Sequence, residues 1–282
     1  MDIVHGGRME WGENLAAQRA GRLAHKILFE GEENSPDNFL WVLANEGSDY
    51  YSPRHRHPWD QVRLCLEGAI PIARDLKIKA GEVGYFPESV HYGPQEGGPD
   101  RLTLVLQMGG ASGLGFLSAS QVRAGRERLL REGVFEQGVF RRTNGEGRKN
   151  EDAYEAIWRC VTGRPLVYPK PQYRVPVVFR PDGFAWRDVP GAPGVRHKFL
   201  GSFPGRGLSL EFLALDAGAI HDAGSSRDRR LIFVREGEGQ CNAEPYFAQS
   251  AIRLEPGETA TFTASAATEL FVITVTPVRA VT

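Results

Sequence analysis

His55 and His57 stand two residues apart, and Gln61 follows four residues after His57. On an extended strand, residues i and i+2 project from the same face, so the two imidazoles leave the backbone together. If the strand resumes after a short bend, the Gln61 side-chain oxygen joins that face. His91 follows a second strand, expected over 82–86 and closed by Pro87. Three imidazoles and one amide oxygen make a donor set suited to a divalent transition metal. Every donor in the set is neutral. A metal so held keeps its full charge and open positions, and acts as a Lewis acid toward a carbonyl or carboxylate.

The strand that carries Gln61 reads QVRLCLEG over 61–68. If Gln61 faces inward, so do Arg63, Cys65 and Glu67, while Val62, Leu64 and Leu66 face out. The apolar outward residues imply that this outer face is covered. An inward guanidinium needs a partner. Two readings stay open for Arg63: a salt bridge to a barrel acid such as Glu67, or a fork for a substrate carboxylate. Glu67 and Tyr85 are the nearest proton-transfer candidates on inward geometry.

The elements that must position these residues are short strands. Residues 38–45 read as a strand with Phe39, Trp41 and Leu43 on one face, and 70–74, 76–79 and 101–107 continue the meander. The character changes after 109. Ser120 is expected to cap a helix through about 131, and Asn150 or Asp152 a second one that stops at Gly163. Four prolines in 165–176 read as an extended connector. Strands return over 177–179, 196–200, 208–215, 231–235 and 269–276. The N-terminal stretch 1–37 reads as an arm, with a short helix possible over 14–25.

Residues 52–95 resemble the two-part motif of the cupin superfamily, whose fold is the RmlC-like jelly roll. The first part matches His55, His57, Gln61 and Gly68, with Gln in place of Glu. The second matches Gly81, Pro87, His91 and Gln95. Ser89 stands where Gly is usual, Gln95 where Asn is usual, and the gap from Pro87 to His91 is one residue short. A weaker echo extends over the second half: LIFVREGEG resembles RLCLEG, and RLEPGETATFTA resembles KIKAGEVGYFPE. Setting Gly237 on Gly68 and Gly257 on Gly81 puts Gly224, Ser226, Arg230 and Ala267 opposite the four donors. Ile232 and Val234 replace Arg63 and Cys65, and His221 is left as a lone histidine. The resemblance therefore implies an all-β bicupin: two jelly-roll barrels in one chain with a short helical insert between them. Its expected parts are an arm over 1–37, a metal-bearing barrel over 38–110, an insert and connector over 111–176, and an apolar-filled barrel over 177–282.

For function, the resemblance implies one iron, manganese, nickel or zinc ion and an enzyme of the dioxygenase type on a small carboxylate-bearing substrate. The neutral Gln61 ligand argues instead for O2-independent isomerase or lyase chemistry. A non-catalytic metal-dependent binding module is the third reading. Formal net charge is −1 over 282 residues, with 34 basic and 35 acidic side chains, which points away from nucleic acid and anionic membranes. The three cysteines lie far apart and form no disulfide framework, so a reducing, cytoplasmic setting is expected. A small-molecule substrate is the expected partner, and a homodimer is compatible with the arm.

Overall fold

The computed structural model describes residues 1–12, 21–96, 99–144 and 146–278. Among the described residues the chain forms two compact units: Trp11–Val178, and Met1–Glu10 together with the chain from Phe179 to Val278. Among the described residues, no helix is long and apolar enough to cross a membrane.

The eight strands up to residue 109 are β1 (Asp2–His5), β2 (Leu23–Glu30), β3 (Phe39–Glu46), β4 (Trp59–Glu67), β5 (Ala69–Ala73), β6 (Leu76–Lys79), β7 (Val83–Phe86) and β8 (Arg101–Gly109). The main sheet of the first unit has the order Val177–Phe179, β7, β4, β8, β3, β2. The main sheet of the second unit repeats that plan. It runs β1, Ser250–Leu254, Arg229–Glu236, Thr268–Val275, Leu208–Leu215, Val195–Phe203, Arg187–Asp188. In both, the strand that begins at Trp59 or Arg229 sits in the middle, with the strand three places on in the chain on one side and the closing strand on the other. The smaller faces are the β5–β6 hairpin in the first unit and a four-stranded sheet in the second.

The first part of the internal echo is visible in the backbone, whereas Gly257 falls opposite Ser89 and not Gly81. The Gly257 N–H donates to the Ser226 carbonyl as the Ser89 N–H does to that of His57, and the Gln249 N–H donates to the Val234 carbonyl as the Gly81 N–H does to that of Cys65. The pairing of β4 with β8 shifts between Cys65 and Glu67, and that of Arg229–Glu236 with Thr268–Val275 shifts between Val234 and Glu236. Each bulge runs into a left-handed glycine, Gly68 at φ 77 and Gly237 at φ 91. A Cβ on Gly237 would come within 2.4 Å of the Ala267 carbonyl oxygen, so the turn requires glycine.

Alternation then sets the cores. Cys65, Phe86, Val90 and Tyr92 pack with Ile70, Ile72 and Ile78 inside the first barrel. Val62 and Leu64, on the opposite face of β4, are 1% and 0% exposed, in line with the covered outer face expected of them. In the second barrel Ile232, Val234, Cys241, Tyr246, Ile252 and Phe262 fill the interior.

Residues 1–37 are not one arm. β1 pairs with Ser250–Leu254, as the edge strand of the second unit's sheet. β2 pairs with β3 and is the edge of the first. The helix expected over 14–25 lies mostly outside the described residues, and its last three residues, 23–25, are strand. The insert carries α1 (Ala119–Leu129) and α2 (Ala153–Thr162). Ser118, not Ser120, caps α1, in a capping box with Gln121. Asp152 caps α2, and Gly163 ends it in the left-handed conformation. A three-stranded sheet formed by 133–136, 139–142 and 150–152 lies between the two helices in sequence and was not anticipated.

Candidate functional site

Two antiparallel bridges stitch the segment before β4 to the loop after β7. His55 and Tyr92 exchange backbone hydrogen bonds of 3.0 Å each, and Ser52 and Gln95 exchange bonds of 2.9 and 2.8 Å. The Ser89 N–H also donates to the His57 carbonyl at 2.7 Å. The histidine pair is thereby fixed at one end of the barrel.

His55 Nδ1 lies 2.6 Å from the Pro53 carbonyl oxygen. A carbonyl only accepts, so Nδ1 carries the proton and the lone pair of the neutral ring resides on Nε2. The His55 ring packs at 4.5 Å on Tyr92 and edge-on at 4.8 Å on His57. His57 stacks on Trp59 at 4.2 Å, and Tyr154 of α2 meets both rings edge-on.

Arg63 is 7% exposed and held from several sides. Its Nε donates to Gln61 Oε1 at 2.7 Å, and its Nη2 to the Tyr92 hydroxyl at 3.4 Å. Its guanidinium also lies 5.4 Å from the ring centres of both Phe86 and Tyr92. Nη1 has no hydrogen-bond partner among the described residues, and Glu46 Oε1 stands 4.0 Å away. Glu46 is engaged elsewhere, since Arg101 Nε donates to its Oε2 at 2.8 Å. The acid beside Arg63 is thus Glu46 of β3, not Glu67. The bulge after Cys65 turns Glu67 out, and its side chain is exposed.

His55, His57, Trp59 and Arg63 line one cavity of about 120 Å³, with Glu46, Gln95 and His25. Its apolar wall comes from β3 and β8 through Leu40, Val42 and Val105, and from the insert through Phe116, Leu117 and Tyr154. Tyr154 is deeply buried, and that burial pushes its hydroxyl pKa well above the usual tyrosine value. Neither Tyr154 nor Phe116 carries a sequence signal for this role. Gln95 did carry one, as the residue at the last position of the motif.

The expected four-donor metal centre does not fit these residues. Gln61 is buried where it was expected, but its oxygen accepts from Arg63 at 2.7 Å and from the Tyr92 hydroxyl at 3.3 Å, which fills both lone pairs. His91 is exposed, while Val90 and Tyr92 on either side are each 2% exposed. The one-residue shortening after Pro87 reverses the alternation and brings Tyr92, not His91, against His55 and His57. Burial and the nearby Arg54 and Arg56 lower the His91 pKa. Among the described residues, no three His, Cys, Asp or Glu side chains are grouped to hold a metal. Tyr85 is also displaced. It pairs with Val62, on the face opposite Arg63, and its hydroxyl donates to Asp60 Oδ2 at 2.6 Å.

The second barrel is not wholly apolar inside. It holds a cavity of about 270 Å³ lined by Leu213, Ile232 and Phe262 together with His197, Glu211, His221 and Arg230. His197 Nδ1 stands 3.7 Å from Glu211 Oε2. Burial raises the Glu211 carboxyl and lowers the His221 imidazole. Arg230 donates to the carbonyls of Ala223, Gly224 and Glu258.

No family model and no curated protein matches the chain. Solved structures do match it along nearly its whole length. A candidate dioxygenase from Nostoc punctiforme superposes with a TM-score of 0.63 at 10% identity, over 99% of this chain and 84% of the other. Oxalate decarboxylase from Bacillus subtilis gives 0.57 at 10% identity, over 99% and 77%. A Geobacillus kaustophilus protein gives 0.58 at 11% identity, over 100% and 97%.

Proposed function

From a chain that has the two-barrel cupin fold, we infer an N-terminal barrel that binds a small carboxylate with an apolar body and moves protons on it. One observation carries the reading. Arg63 Nη1 is buried in the cavity with no hydrogen-bond partner among the described residues. Glu46, Arg63 and Arg101 together hold one carboxylate against two guanidinium groups, a surplus of one positive charge in a buried setting. A ligand carboxylate supplies the missing anion and accepts from Nη1. Apolar groups on β3 and the insert receive the rest of the molecule.

The proton-transfer role falls to His55. The Pro53 carbonyl fixes its tautomer and leaves Nε2 as the basic nitrogen, beside His57. That chemistry belongs to the isomerase or lyase class. The dioxygenase reading draws on the Nostoc punctiforme neighbour, and on the fact that an imidazole locked at Nδ1 is also the form that holds a metal. With Gln61 engaged by Arg63 and His91 exposed, that reading rests on His55 and His57 alone.

Isothermal titration of the full chain with hexanoate tests the proposal. The expected result is saturable binding that Arg63→Leu weakens at least tenfold. Equal affinity in the variant overturns the anchor. Elemental analysis of untagged protein tests the chemistry. Near one equivalent of iron, manganese, nickel or zinc, lost in His55→Ala, would replace proton transfer with a metal-dependent reaction.

A further inference from the structure

Gln95 occupies an unusual position in the first cavity. Its residue is 1% exposed, and it lines the same space as Arg63 and His55. Its backbone N–H and C=O are both used in the bridge to Ser52, at 2.8 and 2.9 Å. Its side-chain Oε1 and Nε2 both lack a hydrogen-bond partner among the described residues. Turning the amide over changes nothing, because both ends are open. Buried polar groups in native proteins are almost always paired, and an open amide inside a cavity marks a place for a ligand group. The Gln61 Nε2 donor is open as well.

The chemistry of that group follows from what Gln95 offers: one acceptor and one N–H2 donor in a single plane. A ketone or ester accepts only, and leaves Oε1 unmet. An ammonium donates only, and enters a site that already carries surplus positive charge. An ionised carboxylate accepts only. A primary carboxamide offers a donor and an acceptor in the same planar spacing, and closes a reciprocal pair of N–H···O=C bonds.

We propose that Gln95 makes the cavity selective for carboxylates that carry a primary carboxamide as their second polar group. The proposal rests on the carboxylate reading of Arg63, and deepens it by naming what the far end of the substrate is. Arg63 holds the carboxylate, the apolar wall takes the carbon chain, and Gln95 pairs with the amide.

The test compares three acids of equal length by isothermal titration of the full chain: glutaramate, 5-oxohexanoate and hexanoate. The second differs from the first only by a methyl group in place of the amide N–H2, which removes the donor and keeps the acceptor. The expected result is that glutaramate binds at least tenfold more tightly than 5-oxohexanoate. In Gln95→Leu that preference is expected to vanish while hexanoate still binds. The near-isosteric Gln95→Met repeats the comparison should the leucine disturb the fold. Equal affinities in the wild type, or a preference that survives both variants, overturn the role of Gln95 and leave the Arg63 anchor standing. Failure of all three acids to bind overturns the anchor and the amide site together.

Discussion

The two barrels share a backbone plan and differ in where they put charge. Arg63 on β4 pairs with Val105, which pairs with Val42. In the second barrel Ile232 pairs with Val272, which pairs with Glu211. At matching positions the first barrel has a cation on its central strand and the second a carboxylate two strands away. One histidine is common to both barrels. His25 pairs with Ala44, and His197 with Leu213, at the same step of the sheet. His55 faces Tyr92 across a bridge, and His221 faces Phe262 across another. His221 is nevertheless not the counterpart of His55: the Ala223 N–H donates to the Ala260 carbonyl as the His55 N–H does to that of Tyr92, and the Gly257 N–H donates to the Ser226 carbonyl as the Ser89 N–H does to that of His57. The two arginines inside the barrels also part ways. Arg63 keeps Nη1 open to its cavity, whereas Arg230 spends its Nη donors on loop carbonyls. A jelly roll supplies the positions, and what occupies a few of them decides whether a barrel offers a receptor or a strut.

That contrast can be broken most sharply at Tyr154. Its truncation to Ala removes a buried ring from the wall of the first cavity, at a cost of about 3–5 kcal/mol for an aromatic of this size. Hydrogen exchange should show β3, β4 and β8 losing protection while the strands 208–215 and 268–275 keep theirs. Equal loss in both units would mean that the barrels do not respond separately.

Arg230→Leu comes next. It strips donors from three carbonyls at about 1 kcal/mol or more each, so the expected loss of stability is roughly 2–3 kcal/mol. Carboxylate titration of the first barrel should be unaffected, and any weakening there would undo the separation of receptor from strut.

Arg63→Leu should behave oppositely. Removing a buried surplus cation is expected to change apo stability by about 1 kcal/mol or less, in either direction, although carboxylate binding is lost. A large destabilisation would class Arg63 with Arg230.

Acid sensitivity gives a smaller effect. Burial holds the His221 imidazole below its ordinary value of 6.5, with Arg230 acting in the same direction and Asp222 against it. Well above 6.5 the ring is neutral whether the chain is folded or not. As pH falls through 6.5 the unfolded chain takes up a proton that the folded one resists, so stability declines. Glu211 contributes the opposite slope above 4.5, because burial raises its carboxyl and the folded state holds that proton longer. Melting temperatures at pH 7.5, 6.5 and 5.5 should therefore fall less steeply in His221→Gln than in the wild type.

The smallest effect concerns the thiols. Burial pushes Cys65 and Cys241, one in each barrel, up to about 12, while Cys160 is half-buried in α2. A thiol reagent at pH 8 should modify Cys160 alone until the chain is unfolded, and early reaction of Cys65 would show the first barrel opening.

Much of the architecture is legible in the chain itself. Glycines after hydrophobic strands mark the bulges at Gly68 and Gly237, and Asp152 with Gly163 brackets α2, because these signals are local. Alternation also places Gln61 and Arg63 on one face of β4. Other assignments needed the assembled fold. Period-two alternation fixes which residues share a face, but the loop that delivers a strand decides which face that is. One residue fewer after Pro87 exchanges His91 for Tyr92, and one more in the bulge turns Glu67 outward. Tyr85 fell on the wrong face because its parity is set by pairing with Val62, a partner more than twenty residues away.

By itself, then, the sequence determined the duplicated β plan, the histidine pair and the inward Arg63, since each follows from spacing along one segment. Only the tertiary structure decided that Arg63 takes the Gln61 oxygen, that Glu46 is satisfied by Arg101, and that Tyr154 and Gln95 complete the cavity. Those facts depend on distances between segments remote in the chain, and no local period encodes them.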